Sequence, residues 1–164
     1  MMTAIQMPAA SAPPPPDKPL LDLPLRDPAA TEALGRAVKL VHAAARIEVY
    51  GIGSSGPIAV DLAYRLVQLG LRATANIDSH MQAGNAAMTG PDVTVITVSH
   101  SGSTVETVLA TRLAKEAGAK VVGITRLGRS PLQRHCGVVL HTVAKEARYR
   151  PEAVGGRVER LAVM

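Results

Sequence analysis

The chain has 164 residues, the usual length of one domain, and 47% of them are apolar, enough to fill a core. With no Phe and no Trp, that core must be built from Ala, Val, Leu and Ile, as in tightly wound α/β sheets. The net charge of +5 comes from scattered Arg and Lys without aromatic interleaving or a basic recognition helix, which argues against nucleic-acid binding.

A single cysteine, Cys136, rules out an internal disulfide and fits a reducing compartment; just ahead of an apolar strand, it reads as a small apolar filler. No apolar stretch reaches the length of a membrane span, and the N-terminus lacks the charged start and apolar run of a signal peptide. A cytoplasmic location and no membrane partner are therefore expected.

Residues 1–26 differ from the rest. Pro13-Pro14-Pro15-Pro16, with Pro8, Pro19 and Pro24, predicts an extended, flexible segment. A globular unit is expected over 27–164, opening at Asp27-Pro28, an N-cap followed by proline in the first turn. Leu34, Ala37, Val38 and Val41 then stripe a helix.

Strands and helices alternate from there. Ile47–Tyr50 is a strand, Gly51–Ser55 a glycine-rich turn, and Ile58, Leu62, Leu66 and Leu69 the inner face of a helix closed by Gly70. Arg72–Ile77 is a second strand and Ser79–Ala87 a short helix. Val93–Val98 is the most strand-like run, followed by a helix striped by Val105, Val108, Leu109 and Leu113. Lys120–Thr125 is a fourth strand, Ser130-Pro131 opens a short helix, Val138–Thr142 is a fifth strand, and a last helix starts near Glu152. This alternation predicts a three-layer α/β/α sandwich around a five-stranded parallel sheet, in a flavodoxin-like order.

In open sheets of this kind ligands bind beyond the carboxyl ends of the strands, where the strand order reverses. Two loops suit that edge: Gly51-Ile52-Gly53-Ser54-Ser55-Gly56 after strand one, and Ser99-His100-Ser101-Gly102-Ser103-Thr104 after strand three. Glycines let backbone amides approach an anion, helix N-termini supply partial positive charge, and hydroxyls supply rotatable donors. Converging, they would make an anion cradle without a lysine. The first loop alone is equally well read as a tight turn with Ser54 or Ser55 as N-cap. It also matches G-x-G-x-x-G, but no acidic residue ends strand two for a ribose, Asp78 being nearest, so a dinucleotide is the weaker reading. In the second loop, four hydroxyl residues in six positions exceed what capping needs.

The Gly-Ile-Gly-Ser-Ser loop, Asp78-Ser79-His80-Met81-Gln82, and Ser99-His100-Ser101-Gly102-Ser103-Thr104 together resemble the sugar isomerase (SIS) domain. Asp78–Gln82 and the stretch from Ile124-Thr125 to Ser130-Pro131-Leu132 are most similar to the effector domains of RpiR-type transcriptional regulators. The resemblance implies a sugar-phosphate ligand, with Gly53, Ser54, Ser55, Ser99, Ser101, Gly102, Ser103 and Thr104 around the phosphate and His80 near the sugar. It further implies a homo-oligomer, a dimer or tetramer, with no cofactor and no metal. His100 and His141 are read as solvent-exposed or strand-packing residues.

Such regulators carry an N-terminal helix-turn-helix domain where this chain has its proline-rich segment, so no DNA contact is expected from the chain alone. The C-terminal helix, weakened by Gly155-Gly156, is expected to be incomplete. Isomerases of the family often have Glu where Ser103 stands; the remaining candidate bases, Glu106, Glu146, Glu152 and His80, are poorly situated for proton transfer. Binding without turnover, as in an effector-sensing module, is therefore expected. The alternatives are an aldose–ketose isomerase using His80 or Glu152, and a dimerisation module without a ligand.

Overall fold

The strand Val93–Val98 reads Val-Thr-Val-Ile-Thr-Val, and all six residues are buried. β-Branched side chains on both faces suit a strand covered on both sides, and this one occupies the middle of the sheet. The computed structural model of the protein describes residues 27–142. The proline-rich segment and the helix expected from Glu152 lie outside the described residues.

Five strands, β1 (Arg46–Tyr50), β2 (Ala73–Asn76), β3 (Val93–Val98), β4 (Lys120–Arg126) and β5 (Val138–Thr142), form one sheet in the order β2-β1-β3-β4-β5. Every pairing is parallel. The order reverses between β1 and β3, whose ends lie level, with Tyr50 opposite Thr97. The expected sheet, order and reversal point are all present. β2 is shorter than the expected Arg72–Ile77: Ile77 is 52% exposed at the sheet edge, although the Arg72 carbonyl still accepts the Ile47 N–H at 2.8 Å.

Among the described residues four α-helices cover the sheet: α1 (Pro28–Ala43), α2 (Gly56–Gln68), α3 (Ser79–Ala87) and α4 (Val105–Glu116). Alternation along β1 feeds two cores. Ile47 and Val49 join Ala37, Ile58, Ala59, Ala63 and Leu66 beneath α1 and α2. Tyr50 joins Ala86, Ala110, Ala114, Val93 and Val95 beneath α3 and α4. Each fully buried Ile or Val contributes about 1.5–3 kcal/mol. The result is the expected three-layer α/β/α sandwich.

Helix ends follow the expected chemistry more closely than helix faces do. Asp27 caps α1 by accepting the Ala29 N–H at 3.0 Å, with Pro28 in the first turn. Gly70 follows α2 with φ +81°, and the next N–H, of Leu71, returns to the Leu66 carbonyl. The predicted stripe on α4 is displaced, although Leu113 packs against the core. Val105 is 75% exposed and Leu109 40%, while Thr107, Ala110, Thr111 and Ala114 face inward. Close approach of α4 to β3 admits only small side chains, and Thr111 Oγ1 lies 3.0 Å from Thr97 Oγ1 in a shared hydrogen bond. The α1 stripe is likewise displaced: Leu34 and Val38 are exposed, whereas Ala33, Ala37, Leu40, Val41 and Ala44 pack on the core. Leu69, expected on the inner face of α2, is exposed at its end.

A polar chain lies buried under α3. Tyr50 donates its hydroxyl to Glu48 Oε2 at 2.7 Å, and Arg46 pairs with Glu48 Oε1 at 3.0 Å. Asn85 Nδ2 donates to Asn76 Oδ1 at 2.8 Å, and Gln82 Nε2 to the Asn76 carbonyl at 2.7 Å. Burial, reinforced by the hydrogen bond to Glu48 and its negative charge, holds the Tyr50 phenol well above the ordinary range. The chain ties β1, β2 and α3 together at the edge of the sheet. Cys136 behaves as filler: its Sγ packs against Gly123 and donates to the Leu132 carbonyl, and burial pushes the thiol up to about 12.

Candidate functional site

β1 and β3 are adjacent and parallel, so the segments following them leave the same edge of the sheet side by side. In the first, the Gly51 N–H donates to the Asn76 carbonyl at 3.3 Å, which anchors the turn to β2. The chain then passes through Gly53 at φ +58° into a short 3-10 turn, Gly53–Ser55, that runs directly into α2. Gly53 is exposed, Ser54 half-buried and Ser55 buried. Ser55 stands at the N-cap position of α2, yet its side chain makes no capping bond to the helix. Of the two serines, Ser55 thus takes the expected N-cap position, without the side-chain bond.

The second segment is held by its own hydroxyls. Ser99 is buried, and its Oγ accepts the Gly102 N–H at 3.2 Å. Ser101 Oγ accepts the Ser103 N–H at 3.2 Å, and Ser103 Oγ donates to the Ser101 carbonyl at 3.3 Å. Gly102 adopts φ +62°, a region that disfavours a side chain. Thr104 is the N-cap residue of α4, but its side chain makes no capping bond. The first intrahelical bond runs from the Val108 N–H to the Thr104 carbonyl, so the amides of residues 105–107 belong to the open first turn. Hydroxyls, first-turn amides and the positive end of the helix dipole lie together, which is the chemistry that accepts an anion.

His80 sits in the first turn of α3, exposed, behind the N-cap Asp78. Asp78 Oδ1 accepts the N–H groups of His80 and Met81 at 2.9 and 3.0 Å, so this carboxylate caps the helix. α3 follows β2, a parallel neighbour of β1, so His80 lies on the same edge of the sheet as the two loops. Of the two readings of His100, solvent-exposed and strand-packing, the structure supports the buried one: it is 7% exposed, just past the end of β3. His141 is exposed, with Nδ1 3.3 Å from the Arg126 carbonyl. Glu106 is an exposed first-turn acid of α4, favourable to the helix dipole, and Glu146 and Glu152 lie outside the described residues. Among the described residues no group of three or more His, Cys, Asp or Glu could hold a metal ion. No helix there is long and apolar enough to cross a membrane.

Two supports of these loops come from neighbouring strands. Asn76 supplies the carbonyl that holds Gly51, and Thr125 Oγ1 donates to the His100 carbonyl at 3.2 Å. Thr125 had a visible signal, a hydroxyl residue at the end of the aliphatic run Val121-Val122-Gly123-Ile124. Asn76 had none.

A doubly wound parallel sheet with two such loops at its reversal point defines an α/β domain of the kind whose ligands sit at the carboxyl edge of the sheet. Residues 39–154 match the SIS domain model, and the chain belongs to the SIS domain family. It is 32% identical over 133 residues to an uncharacterized HTH-type transcriptional regulator of Caldanaerobacter subterraneus, covering 81% of this chain and 47% of that protein. Among solved structures it is similar to the Vibrio vulnificus NanR protein complexed with ManNAc-6P, at a TM-score of 0.75 and 32% identity, covering 81% of this chain and 51% of that one. The sugar isomerase domain of an RpiR transcription factor from Sphaerobacter thermophilus superposes at a TM-score of 0.71 with 28% identity, covering 80% of this chain and 75% of that one. The chain spans about half the length of the Caldanaerobacter regulator and of NanR.

Proposed function

We propose that this SIS domain binds a phosphorylated sugar and acts as an effector-sensing module in the regulation of carbohydrate metabolism. The observation that carries the reading is the pairing of two loops rich in glycine and hydroxyl residues on adjacent strands, each with a left-handed glycine leading toward a helix N-terminus. Gly53, Ser54 and Ser55 would line one side of the phosphate. Ser99, Ser101, Gly102, Ser103 and Thr104 would line the other, and His80 would face the sugar. The likeness to NanR in complex with ManNAc-6P supports a sugar phosphate over other anions. The likeness to HTH-type and RpiR regulators supports a regulatory setting over a catalytic one.

Neutral donors suit this task. Backbone amides and hydroxyls can grip a dianion without a paired cation, and serine hydroxyls rotate to match the phosphate oxygens. Phosphate recognition then supplies affinity, and the neighbouring residues discriminate the sugar. Titration calorimetry of the full chain against sugar phosphates and the matching unphosphorylated sugars tests this. Binding that requires the phosphate supports the reading. Equal response to both forms, or turnover of a ketose phosphate to its aldose that His80→Ala abolishes, contradicts it.

A further inference from the structure

The Ser99–Thr104 loop is pinned from outside as well as from within. The Ser99 N–H donates to the Ile124 carbonyl at 3.0 Å. The His100 carbonyl accepts two hydrogen bonds, from the Arg126 N–H at 3.1 Å and from Thr125 Oγ1 at 3.2 Å. The Gly102 carbonyl accepts the Leu132 N–H at 3.0 Å. All four contacts come from the end of β4 and from the turn and short 3-10 helix, Pro131–His135, that follow it.

Ser130 belongs to the same turn. Its Oγ is buried without a hydrogen-bond partner among the described residues, a rare state for a hydroxyl. It packs directly beneath Gly102. A Cβ at position 102 would collide with Ser130 Oγ and stand 2.6 Å from Ser130 Cβ and 2.9 Å from Thr125 Oγ1. Glycine at 102 is therefore required twice, by its φ of +62° and by this close approach.

We infer that Thr125 and Ser130 are positioning residues: they form a floor that fixes the Ser99–Thr104 loop in its anion-accepting shape and so set its affinity for phosphate. This rests on the reading of that loop as the phosphate site. Thr125 acts through the His100 carbonyl, and Ser130 through the backbone of Gly102.

The test uses the full chain and inorganic phosphate, followed by the amide resonance of Gly102. Thr125→Val keeps the branched shape, and the His100 carbonyl keeps the Arg126 N–H, so the melting temperature should stay within a few degrees of wild type. The affinity for phosphate should fall about fivefold, the worth of one neutral hydrogen bond. Thr125→Ser should restore it to within about twofold. Wild-type affinity in Thr125→Val overturns the inference. If wild type itself ignores phosphate, the binding reading fails, and amide hydrogen exchange over residues 99–104 decides the floor. Faster exchange in Thr125→Val, reversed in Thr125→Ser, upholds it, and unchanged exchange overturns it.

Discussion

Gly51 and Ser55 approach so closely that no side chain fits between them: a Cβ on Gly51 would stand 2.5 Å from the Ser55 carbonyl oxygen. The turn after β1 closes on itself at this point. Gly53, two residues on, has φ +58° but open space around it. The two glycines are thus needed for different reasons, one steric and one conformational. Gly51→Ala should cost about 1–3 kcal/mol through overpacking against rigid backbone. Gly53→Ala should cost about 1 kcal/mol from its left-handed φ alone. Urea unfolding of both variants checks the order; a larger loss for Gly53→Ala would contradict it.

The buried Glu48 depends on its neighbours. Tyr50→Phe removes the 2.7 Å donor and leaves Glu48 Oε2 with the longer contact from Asn76 Nδ2, at 3.5 Å. Loss of a hydrogen bond to a buried charged group costs about 1–3 kcal/mol. The variant should unfold at lower denaturant with an unchanged m-value. Stability equal to wild type would show that the pair contributes nothing.

His135 gives the fold a mild sensitivity to acid. Burial first, then the charges of Lys115 and Arg112, push its imidazole below the ordinary value. The unfolded chain takes up this proton near pH 6.5, and the folded chain only at lower pH. Between those points the unfolded state binds more protons, so stability is full above about pH 6.5 and falls as pH drops below it. His135→Asn, which cannot be protonated, should flatten the melting-temperature profile between about pH 7 and 5.5. An unchanged slope would assign the sensitivity to other groups.

The strands, their order and both loops were legible in the sequence because they rest on local chemistry. Val93–Val98 can be little but a central strand, and Gly53 and Gly102 stand where the chain must turn left-handed. The helix faces were legible only in part: Ile58, Leu62 and Leu66 of α2 do pack on the core, but elsewhere Leu and Val do not mark the buried face. On α4 the tight helix–sheet packing selects Ala110, Ala114, Thr107 and Thr111 and turns Val105 and Leu109 outward. The supports of the loops were hidden for another reason. Asn76 and Thr125 act across gaps of 25 residues, from Asn76 to Gly51 and from Thr125 to His100, and such pairings exist only once the sheet has formed. The hydroxyls of Ser99 and Ser101 were visible as donors, but their second task, holding the loop's own amides, appears only in the folded chain.

The most direct measurement is a thermal-shift titration of the full chain with a panel of sugar phosphates, with Ser101→Ala alongside. A ligand at about 100 times its dissociation constant stabilises the folded state by about 2.7 kcal/mol. The account predicts a clear rise in melting temperature with at least one sugar phosphate, lost or much reduced in Ser101→Ala. A folded wild-type protein that shows no shift with any of them would contradict it, leaving a SIS fold that serves assembly and not ligand sensing.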